Sequence, residues 1–407
     1  MNTTEPAEAG TSRDSQLAAR KAMVDDGPPC RVFFLVDSLD VGGSESQAVE
    51  LALRLSRARY AVTLGCLRMQ GPLLGRLQGS AVPVVEFHPR GGIDSLGGAR
   101  QLLRLAWLLR RERFDVVHTH DLWSNLIGVP AAFLARVPVI VASQRDLSHL
   151  PWYKSRRRVW LRRIQGLSTV VLANAGSIRE QLIQEGHLRA EKIRVIHNGV
   201  DLEKFDRDAR NSGVVLANAG SGKRIVLVGN MTSEVKGHSV LIHAAPKILR
   251  EFSDARFILV GDGACRKQFE TQVGDLGLEK QFLFLGRRDD VPEVLAVCDI
   301  AVLPSRTEGL PNALLEYLAV GLASVGSNVG GNAEIVKDGV SGLLVPPENA
   351  ELLADAVLRL LRDPDLARRL GHSGREYVQR RFGFDQLVEQ IERLYSELLR
   401  RREPAYR

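Results

Sequence analysis

Two successive series of short apolar strands, each strand followed in most cases by a segment with helical periodicity, constrain the fold of this chain most. Strands that alternate with helices are joined by crossover connections, which make the strands parallel. The sequence therefore predicts an α/β protein with two Rossmann-like, doubly wound parallel sheets. The predicted strands are residues 31–36, 61–66, 82–87, 114–118, 137–142, 169–173 and 193–197 in the first series, and 224–228, 257–260, 282–285 and 300–303 in the second.

The length of the chain agrees with two large domains. Its 407 residues exceed one typical domain of ~150 residues, and a polar stretch rich in small residues separates the two series of strands. We predict a disordered polar tail (1–30), an N-terminal Rossmann-like domain (31–205), a linker (206–222), a C-terminal Rossmann-like domain (223–384) and a final helical segment (385–407).

The composition indicates a globular protein that works in a reducing compartment. The hydrophobic fraction is 44% and the charged fraction 25%, both ordinary for packed domains. Four scattered cysteines form no Cys-x-x-Cys pair, and no apolar run approaches the ~20 residues of a transmembrane helix. We therefore expect a cytoplasmic protein without a metal site. The net charge of +7 permits anionic partners such as nucleotides or lipids.

Two glutamates, Glu308 and Glu316, follow the last predicted strand. Pro311 between them sits where a proline is tolerated, in a first helical turn, so we expect a helix to begin near it. The N-terminus of such a helix points free N–H groups at the ligand crevice of an open sheet and suits a phosphate. A carboxylate accepts two hydrogen bonds, which suits paired sugar hydroxyls. Glutamates on helices are usually solvated, but this position favours a nucleotide-sugar clamp.

The run Glu308, Gly309, Leu310, Pro311 and Glu316 resembles the signature of the family 4 retaining glycosyltransferases of GT-B architecture, which reads Glu-Gly-Leu/Phe-Pro, four residues, Glu. The resemblance implies that a nucleoside-diphosphate sugar binds mainly to the C-terminal domain and an acceptor to the N-terminal domain. It implies same-face attack assisted by the leaving phosphate, with no metal or cofactor. It also implies that the final helix crosses back to the N-terminal domain.

The resemblance extends to two features of the N-terminal half. Gly42 and Gly43 follow the first strand and match a pair that lies against the donor diphosphate or the acceptor, although a tight turn explains them equally simply. His118 and His120 end a strand on one face. They could form a zinc pair, but no third ligand stands nearby. By resemblance we expect His120 to project towards the transferred sugar and to be catalytic, and His118 to be packing.

In the C-terminal half, Lys236 matches a lysine that the family places on the donor pyrophosphate, although lysines in loops are usually solvated. Asn230 stands where many members carry an arginine, so this donor-binding position lacks a cation, and Arg306 is a candidate replacement. We expect Lys236 to stabilise the departing diphosphate, Glu308 to hold the transferred sugar and Glu316 to hold the ribose.

A basic segment with interspersed aromatic residues occupies residues 151–164. Such a mixture suits an interfacial helix on anionic lipid or a contact with the acceptor. A solvated basic face is the alternative, and no nucleic-acid motif accompanies the segment. We therefore predict peripheral contact with the inner face of the cell membrane. The predicted contact residues are Trp152, Arg156, Arg157, Arg158 and Trp160, and the other cations of the segment are Lys154, Arg162 and Arg163.

Together these features predict a retaining, metal-independent glycosyltransferase. The expected reaction moves a hexosyl or N-acetylhexosaminyl group to a hydroxyl of a lipid-linked or polysaccharide precursor in cell-envelope or exopolysaccharide synthesis. One alternative is another GT-B enzyme, such as a nucleotide-sugar epimerase or a phosphorylase. The other is a non-catalytic nucleotide-sugar-binding partner, which Asn230 and the pair Ala323-Ser324, in place of the family's usual Pro-Val, keep open.

Overall fold

The structure is a computed structural model that describes residues 28–147, 155–210 and 222–401. It contains two entirely parallel sheets, one of seven strands and one of six. This is the GT-B arrangement of two Rossmann-like domains. The strands are β1 (Cys30–Ser38), β2 (Tyr60–Arg68), β3 (Val84–Glu86), β4 (Val116–Thr119), β5 (Val139–Gln144), β6 (Val170–Ala173), β7 (Ile193–Val195), β8 (Arg224–Val228), β9 (Arg256–Val260), β10 (Phe282–Gly286), β11 (Ile300–Leu303), β12 (Ala323–Ser327) and β13 (Leu343–Val345).

The order of the strands places a ligand crevice in each sheet. The first sheet runs β3-β2-β1-β4-β5-β6-β7 and the second β10-β9-β8-β11-β12-β13. Strand order therefore reverses between β1 and β4, and again between β8 and β11. In open α/β sheets, ligands bind outside the carboxyl ends of the strands at such a reversal. Most residues of the cleft between the domains lie on the loops that follow these strands.

Helices cover both faces of each sheet because parallel strands must be joined by crossovers. Short 3-10 turns occur at Ala190–Lys192 and Glu234–Lys236. The helices are α1 (Gly43–Arg54), α2 (Leu73–Leu77), α3 (Leu96–Arg111), α4 (Leu122–Leu134), α5 (Ser155–Leu167), α6 (Gly176–Gln184), α7 (Leu202–Arg210), α8 (His238–Leu249), α9 (Arg266–Asp275), α10 (Val291–Ala296), α11 (Asn312–Val320), α12 (Asn332–Ile335), α13 (Ala350–Arg362), α14 (Pro364–Arg381) and α15 (Phe384–Arg400).

The last helix, α15, packs on the first sheet. Its apolar stripe, which includes Leu387, Ile391 and Leu394, is buried in the same core as β1, α1 and α2. The hydroxyl of Tyr395 lies 2.7 Å from Nδ1 of His118 on β4, and both side chains are fully buried. The final helix therefore covers the N-terminal domain, although it follows the C-terminal domain in sequence.

The structure departs from the sequence prediction at three places. β12 and β13 were not predicted, since β12 reads ASVGS and its small side chains lack the apolar signal of a buried strand. Residues 206–210 of the predicted linker are helical because α7 buries Phe205. Residues 211–221 lie outside the described residues. Cys30, assigned to the tail, begins β1, and residues 1–27 of that tail also lie outside the described residues.

Candidate active site

Two adjoining cavities lie between the domains at the carboxyl ends of both sheets. The first has a volume of about 460 Å³ and the second about 430 Å³, and Asn312 at the start of α11 lines both. The loops after β1, β4 and β5 form one wall of the first cavity, and the loops after β8 and β11 form the other. The first cavity is lined by Asp37, Gly43, Ser44, Glu45, Asp121, Leu122, Trp123, Arg145, Asp146, Asn174, Asn198, Lys236, Glu308, Gly309, Leu310, Pro311 and Asn312.

On the C-terminal wall, Glu308 and Lys236 form an ion pair. Nζ of Lys236 donates to both carboxylate oxygens of Glu308, at 2.7 and 2.9 Å, and the hydroxyl of Ser305 donates to Oε1 at 2.7 Å. Gly237 ends the turn that carries Lys236, with φ at +74°, and a Cβ there would lie 1.9 Å from the carbonyl oxygen of Pro304. Because that contact admits only glycine, the lysine loop packs directly against the loop that carries Glu308.

Glu316 lies on α11 and lines the second cavity with Lys204 and Arg288. Among the described residues, no group donates a hydrogen bond to its carboxylate. Burial raises the pKa of Glu316 to about 7, although the charges of Lys204 and Lys236 oppose the shift. Glu308 and Glu316 therefore line the two cavities separately, with Asn312 between them, and the carboxylate of Glu316 remains available to a ligand.

The N-terminal wall of the first cavity is acidic. Burial and the nearby Asp121 raise the pKa of Glu45 to about 8, and burial raises the pKa of Asp121 to about 6. Asp37 and Asp146 complete the acidic group. The first cavity therefore has a basic residue, Lys236, on one wall and carboxyl groups on the other.

Arg145 is the cation of this acidic wall, and it follows β5 directly. It donates from Nη1 to Oδ1 of Asn198 at 2.8 Å, and Nη2 lies 3.4 Å from Nδ1 of His120. Its Nε is buried without a partner among the described residues. Burial lowers the pKa of Arg145 to about 10. Sequence reasoning missed this residue, although its position at a strand end could have indicated it.

His120 does not face the cavity. Its ring is fully buried, stacks on His118 with centroids 4.1 Å apart and meets the edge of Phe34 at 4.8 Å. His118 lies on β4 and His120 follows directly after it on the same side, so both rings turn into the core, and burial lowers both pKa values. In the described conformation His120 lines neither cavity: its Nδ1 lies against the Arg145 guanidinium, and its Nε2 is buried without a partner among the described residues. The catalytic role of His120 towards the transferred sugar stays a prediction.

The other predicted donor residues divide into two groups. Gly43, Gly309, Leu310 and Pro311 line the first cavity, and α11 begins at Asn312, directly after Pro311. The remaining positions line neither cavity: Gly42 caps α1, Asn230 is exposed, and Arg306 pairs with Glu348 at 3.1 Å.

The basic segment is only partly described. Trp152 and the side chains of Arg156, Arg157 and Arg158 lie outside the described residues. Trp160 on α5 is 60% exposed, with the Arg163 guanidinium over its ring. Arg162, which we counted among the cations of the segment, is instead buried and donates to Glu185 at 2.5 Å and to Gln165 at 2.7 Å.

Contacts across the cleft hold the two domains together. Oε2 of Glu334 on α12 accepts from the amide of Gly176 and contacts His197, each at 2.9 Å. Although burial opposes the shift, these hydrogen bonds lower the pKa of Glu334. Asn198 donates to the carbonyl of Leu310 at 3.0 Å. A Cβ on Gly309 would lie 2.0 Å from the carbonyl oxygen of Arg145. The described conformation is therefore closed at the first cavity.

Two further observations concern metals and membranes. Within residues 28–147, 155–210 and 222–401, no three His, Cys, Asp or Glu side chains are grouped so that they could hold a metal ion. None of the described helices is both long and apolar enough to cross a bilayer.

Comparisons with known proteins agree with this geometry. Residues 41–204 match the family described as Glycosyltransferase Family 4, and residues 222–363 match Glycosyl transferases group 1. An Escherichia coli UDP-Gal:alpha-D-GlcNAc-diphosphoundecaprenol alpha-1,3-galactosyltransferase is 29% identical over 85% of this chain and 91% of its own. The Bacillus anthracis N-acetyl-alpha-D-glucosaminyl L-malate synthase is 30% identical over 73% of this chain and 78% of its own.

Solved structures show the same fold. Anabaena HepE in complex with UDP-glucose superposes with a TM-score of 0.79 at 24% identity, over 90% of this chain and 99% of its own. Sucrose-phosphate synthase from Thermosynechococcus elongatus superposes with a TM-score of 0.75 at 19% identity, over 91% of this chain and all of its own. The sequence matches, the paired parallel sheets and the cleft between them lead to one conclusion: the chain is a glycosyltransferase of family 4, with the GT-B fold.

Proposed function

We propose that this enzyme transfers a hexosyl or N-acetylhexosaminyl group, with retention of configuration, from a nucleoside-diphosphate sugar to a hydroxyl of a lipid-linked or polysaccharide precursor. The observation that carries the proposal is the arrangement of charge around the cleft. The Lys236–Glu308 pair forms one wall of the first cavity, carboxyl groups form the other, and the unpaired carboxylate of Glu316 lines the adjoining cavity.

We propose that the donor spans both cavities. In the proposal the diphosphate lies near Lys236 and the free amides at the start of α11, where a helix N-terminus favours an anion. Glu316 accepts hydrogen bonds from the ribose hydroxyls in the second cavity, and Glu308 accepts them from the transferred sugar in the first. Lys236 then stabilises the negative charge that develops on the leaving diphosphate. In this scheme protein cations and amides supply the positive charge, and no metal is required.

Arg145 supplies a second positive charge in this scheme. Among the described residues that line the first cavity, the lysine and arginine side chains are Lys236 and Arg145. Asn230, where many family members carry an arginine, is exposed and lines neither cavity. We propose that Arg145 offsets the missing cation from the opposite wall of the cleft.

The acidic wall suits hydroxyl groups better than a second anion. Asp37, Asp121 and Asp146 can accept hydrogen bonds from sugar or acceptor hydroxyls. Glu45, whose raised pKa of about 8 keeps it protonated at neutral pH, can donate one. We therefore propose that this wall, including Gly43, binds the transferred sugar and the acceptor. Closure of the domains would exclude water and bring the acceptor hydroxyl to the anomeric carbon, where the leaving phosphate assists same-face attack.

The relatives suggest where to begin the search for substrates. The E. coli protein is named for UDP-galactose and a diphosphoundecaprenol acceptor, and the B. anthracis protein for L-malate. We propose a uridine diphosphate sugar as the first donor to test. A lipid-linked acceptor is favoured because the described surface carries the apolar and basic face analysed below.

The test is a transfer assay with the purified full chain and uridine, guanosine and adenosine diphosphate sugars, with extracted lipid-linked precursors as acceptors. We expect one donor to be consumed and a product whose anomeric configuration, read by NMR, matches that of the donor. Inverted product would contradict retention. An epimerised nucleotide sugar would identify the alternative GT-B enzyme, and tight donor binding without turnover would identify a non-catalytic binding partner.

A further inference from the structure

Water-exposed apolar side chains are concentrated on one face of the N-terminal domain. Of the thirteen large apolar side chains that are exposed among the described residues, eight lie on α3, α4 and α5. The C-terminal domain, although of similar size, carries three. The inner sides of these helices pack against the same face of the first sheet, and α4 lies between the other two. These exposed side chains therefore lie on three neighbouring helices on one side of the N-terminal domain.

Helix α3 carries the most regular part of this surface. Leu96, Arg100, Leu103, Trp107 and Arg110 follow one another at alternating spacings of four and three residues, which puts them in a single stripe along the helix. Leu96 is 92% exposed, Leu103 62% and Trp107 59%. The sequence of α3, LGGARQLLRLAWLLRR, contains no acidic residue. An ordinary solvent-facing stripe mixes both signs of charge, whereas this one combines apolar side chains with arginine alone.

We propose that this stripe, defined by Leu96, Arg100, Leu103, Trp107 and Arg110 and called the docking face below, binds the surface of an anionic bilayer. The leucines and the tryptophan enter the boundary between headgroups and acyl chains, and the arginines pair with lipid phosphates. The guanidinium of Arg111 lies over the Trp107 ring, with its central carbon 4.9 Å from the ring centroid, as suits an aromatic residue at a polar boundary.

The position of the docking face relates it to the active site. β3 ends at Glu86, and the chain reaches α3 at Leu96 through a loop at the carboxyl edge of the first sheet. Both cavities open at that same edge. One end of the docking face therefore lies at the edge where the cleft opens. Trp160, exposed beside Arg163, lies on α5, a second helix on this side of the domain that also begins at this edge. A lipid-linked acceptor could enter the cleft along the bilayer surface.

Two other partners fit this stripe less well. In a symmetric contact with a second copy of the chain, the same patch meets itself, so Arg100 and Arg110 would approach arginines of the copy with no acidic residue of α3 to neutralise them. A nucleic acid would satisfy the arginines but would leave Leu96, Leu103 and Trp107 against charged phosphates. An anionic bilayer satisfies both kinds of side chain.

The test is sedimentation of the full chain with phosphatidylcholine vesicles, prepared with and without phosphatidylglycerol and measured without donor. We expect the wild type to sediment with the anionic vesicles and to remain in the supernatant with the neutral ones. R100Q/R110Q should lower the partition coefficient on anionic vesicles by about 25-fold, from about fivefold for each arginine. L103S/W107S should also lower it at least tenfold, by removing apolar contact with the acyl chains.

The matched control is L352S/R368Q, which changes the same kinds of exposed side chain on the C-terminal domain and should bind like the wild type. The melting temperature of each variant, expected to stay at the wild-type value because the side chains are exposed, reports on folding. Equal binding of the wild type to both vesicles, or undiminished binding of both α3 variants, would overturn the proposal. So would a wild-type dimer that the α3 variants dissociate while vesicle binding persists. A negative result leaves sugar transfer untouched, because the assay needs no turnover.

Discussion

The ammonium group of Lys236 donates to both carboxylate oxygens of Glu308, at 2.7 and 2.9 Å, across a sequence separation of 72 residues. The contact joins the loop after β8 to the loop after β11, the two strands between which the order of the second sheet reverses. The carboxylate holds the cation at the cavity wall. In the proposed function, this pair combines a group for the leaving diphosphate, Lys236, with a group for the transferred sugar, Glu308.

The first prediction separates the structural and the chemical role of this pair. Lys236→Met should lower kcat/KM for sugar transfer by about 10²–10³-fold, the typical cost of removing one group that stabilises developing negative charge. It should also lower the melting temperature, because Glu308 is buried and loses its charged partner. Steady-state rates and thermal unfolding measure the two effects.

The double variant K236M/E308Q is the control for that prediction. It removes the unpaired carboxylate, so it should recover part of the lost melting temperature and none of the lost activity. Recovery of activity together with stability would show that Lys236 serves only to hold the loops.

The second prediction concerns pH. Because burial raises the pKa of Glu316 to about 7, the carboxyl group of the free enzyme gains a proton as the pH falls from 8 to 6. The ionised group is the stronger hydrogen-bond acceptor, so the dissociation constant of the donor should rise as the pH falls through about 7 and level off once Glu316 is protonated. Calorimetric titration with an intact nucleotide sugar, whose diphosphate does not titrate in this range, measures the effect.

The same shift has a consequence for stability. The pKa of Glu316 in the folded protein lies above its ordinary value of 4.5, so folding favours the protonated form. The free energy of unfolding of the free enzyme should therefore fall as the pH rises from about 4.5 through 7, where Glu316 ionises. Glu316→Gln should remove this loss and flatten the pH dependence of donor binding. An unchanged pH profile in E316Q would assign the titration to another group.

The third prediction tests Arg145 as the second cation. Arg145→Gln should raise the KM of the donor by about tenfold or more, because one of the two basic side chains that line the first cavity is lost. Arg145→Lys keeps the charge and should recover much of that loss. Arg306→Gln is the matched control, since Arg306 pairs with Glu348 and lines neither cavity. Equal effects of R145Q and R145K would indicate that the guanidinium acts by holding Asn198 in place.

The fourth prediction concerns the close approach of the two domains. Gly309→Ala introduces a Cβ that would lie 2.0 Å from the carbonyl oxygen of Arg145, so the cleft cannot close as described. We expect a large loss of kcat with little change in melting temperature, and a larger radius of gyration in solution scattering. Gly166→Ala is the control, because a Cβ at Gly166 meets nothing within 4 Å. A fully active G309A enzyme would show that transfer does not need this closed contact.

Runs of branched apolar residues made much of the fold predictable. Each predicted strand overlaps an observed one, because strands covered by helices on both faces read as continuous apolar segments. β12 escaped prediction because Ser324, Gly326 and Ser327 are small and partly polar, and only their neighbours in the sheet bury them. The helical start of the predicted linker was hidden for a similar reason. The large apolar residues of α7, Leu202 and Phe205, precede residue 206, so the mostly polar residues 206–210 read as the start of a linker.

Site residues that lie on a single loop could be predicted from the sequence, whereas contacts between distant parts of the chain could not. The placement of Lys236, Glu308 and Pro311 beside the first cavity follows from strand ends and a helix start. Arg145 also follows a strand end, but the contacts that fix its side chain, with Asn198 and His120, come from distant parts of the chain and cannot be predicted from the sequence around it. The orientation of His120 depends on Phe34 and His118, which turn its ring into the core.

The most direct test of the central claim, that a nucleotide sugar binds across both cavities, is calorimetric titration of the donor into wild type, E316A, K236M and the control R306Q. We expect one site per chain, at least tenfold weaker binding in E316A and K236M, and wild-type affinity in R306Q. Wild-type affinity in both E316A and K236M would contradict it, because the donor would then bind without the two residues that the proposal places on the ribose and the diphosphate.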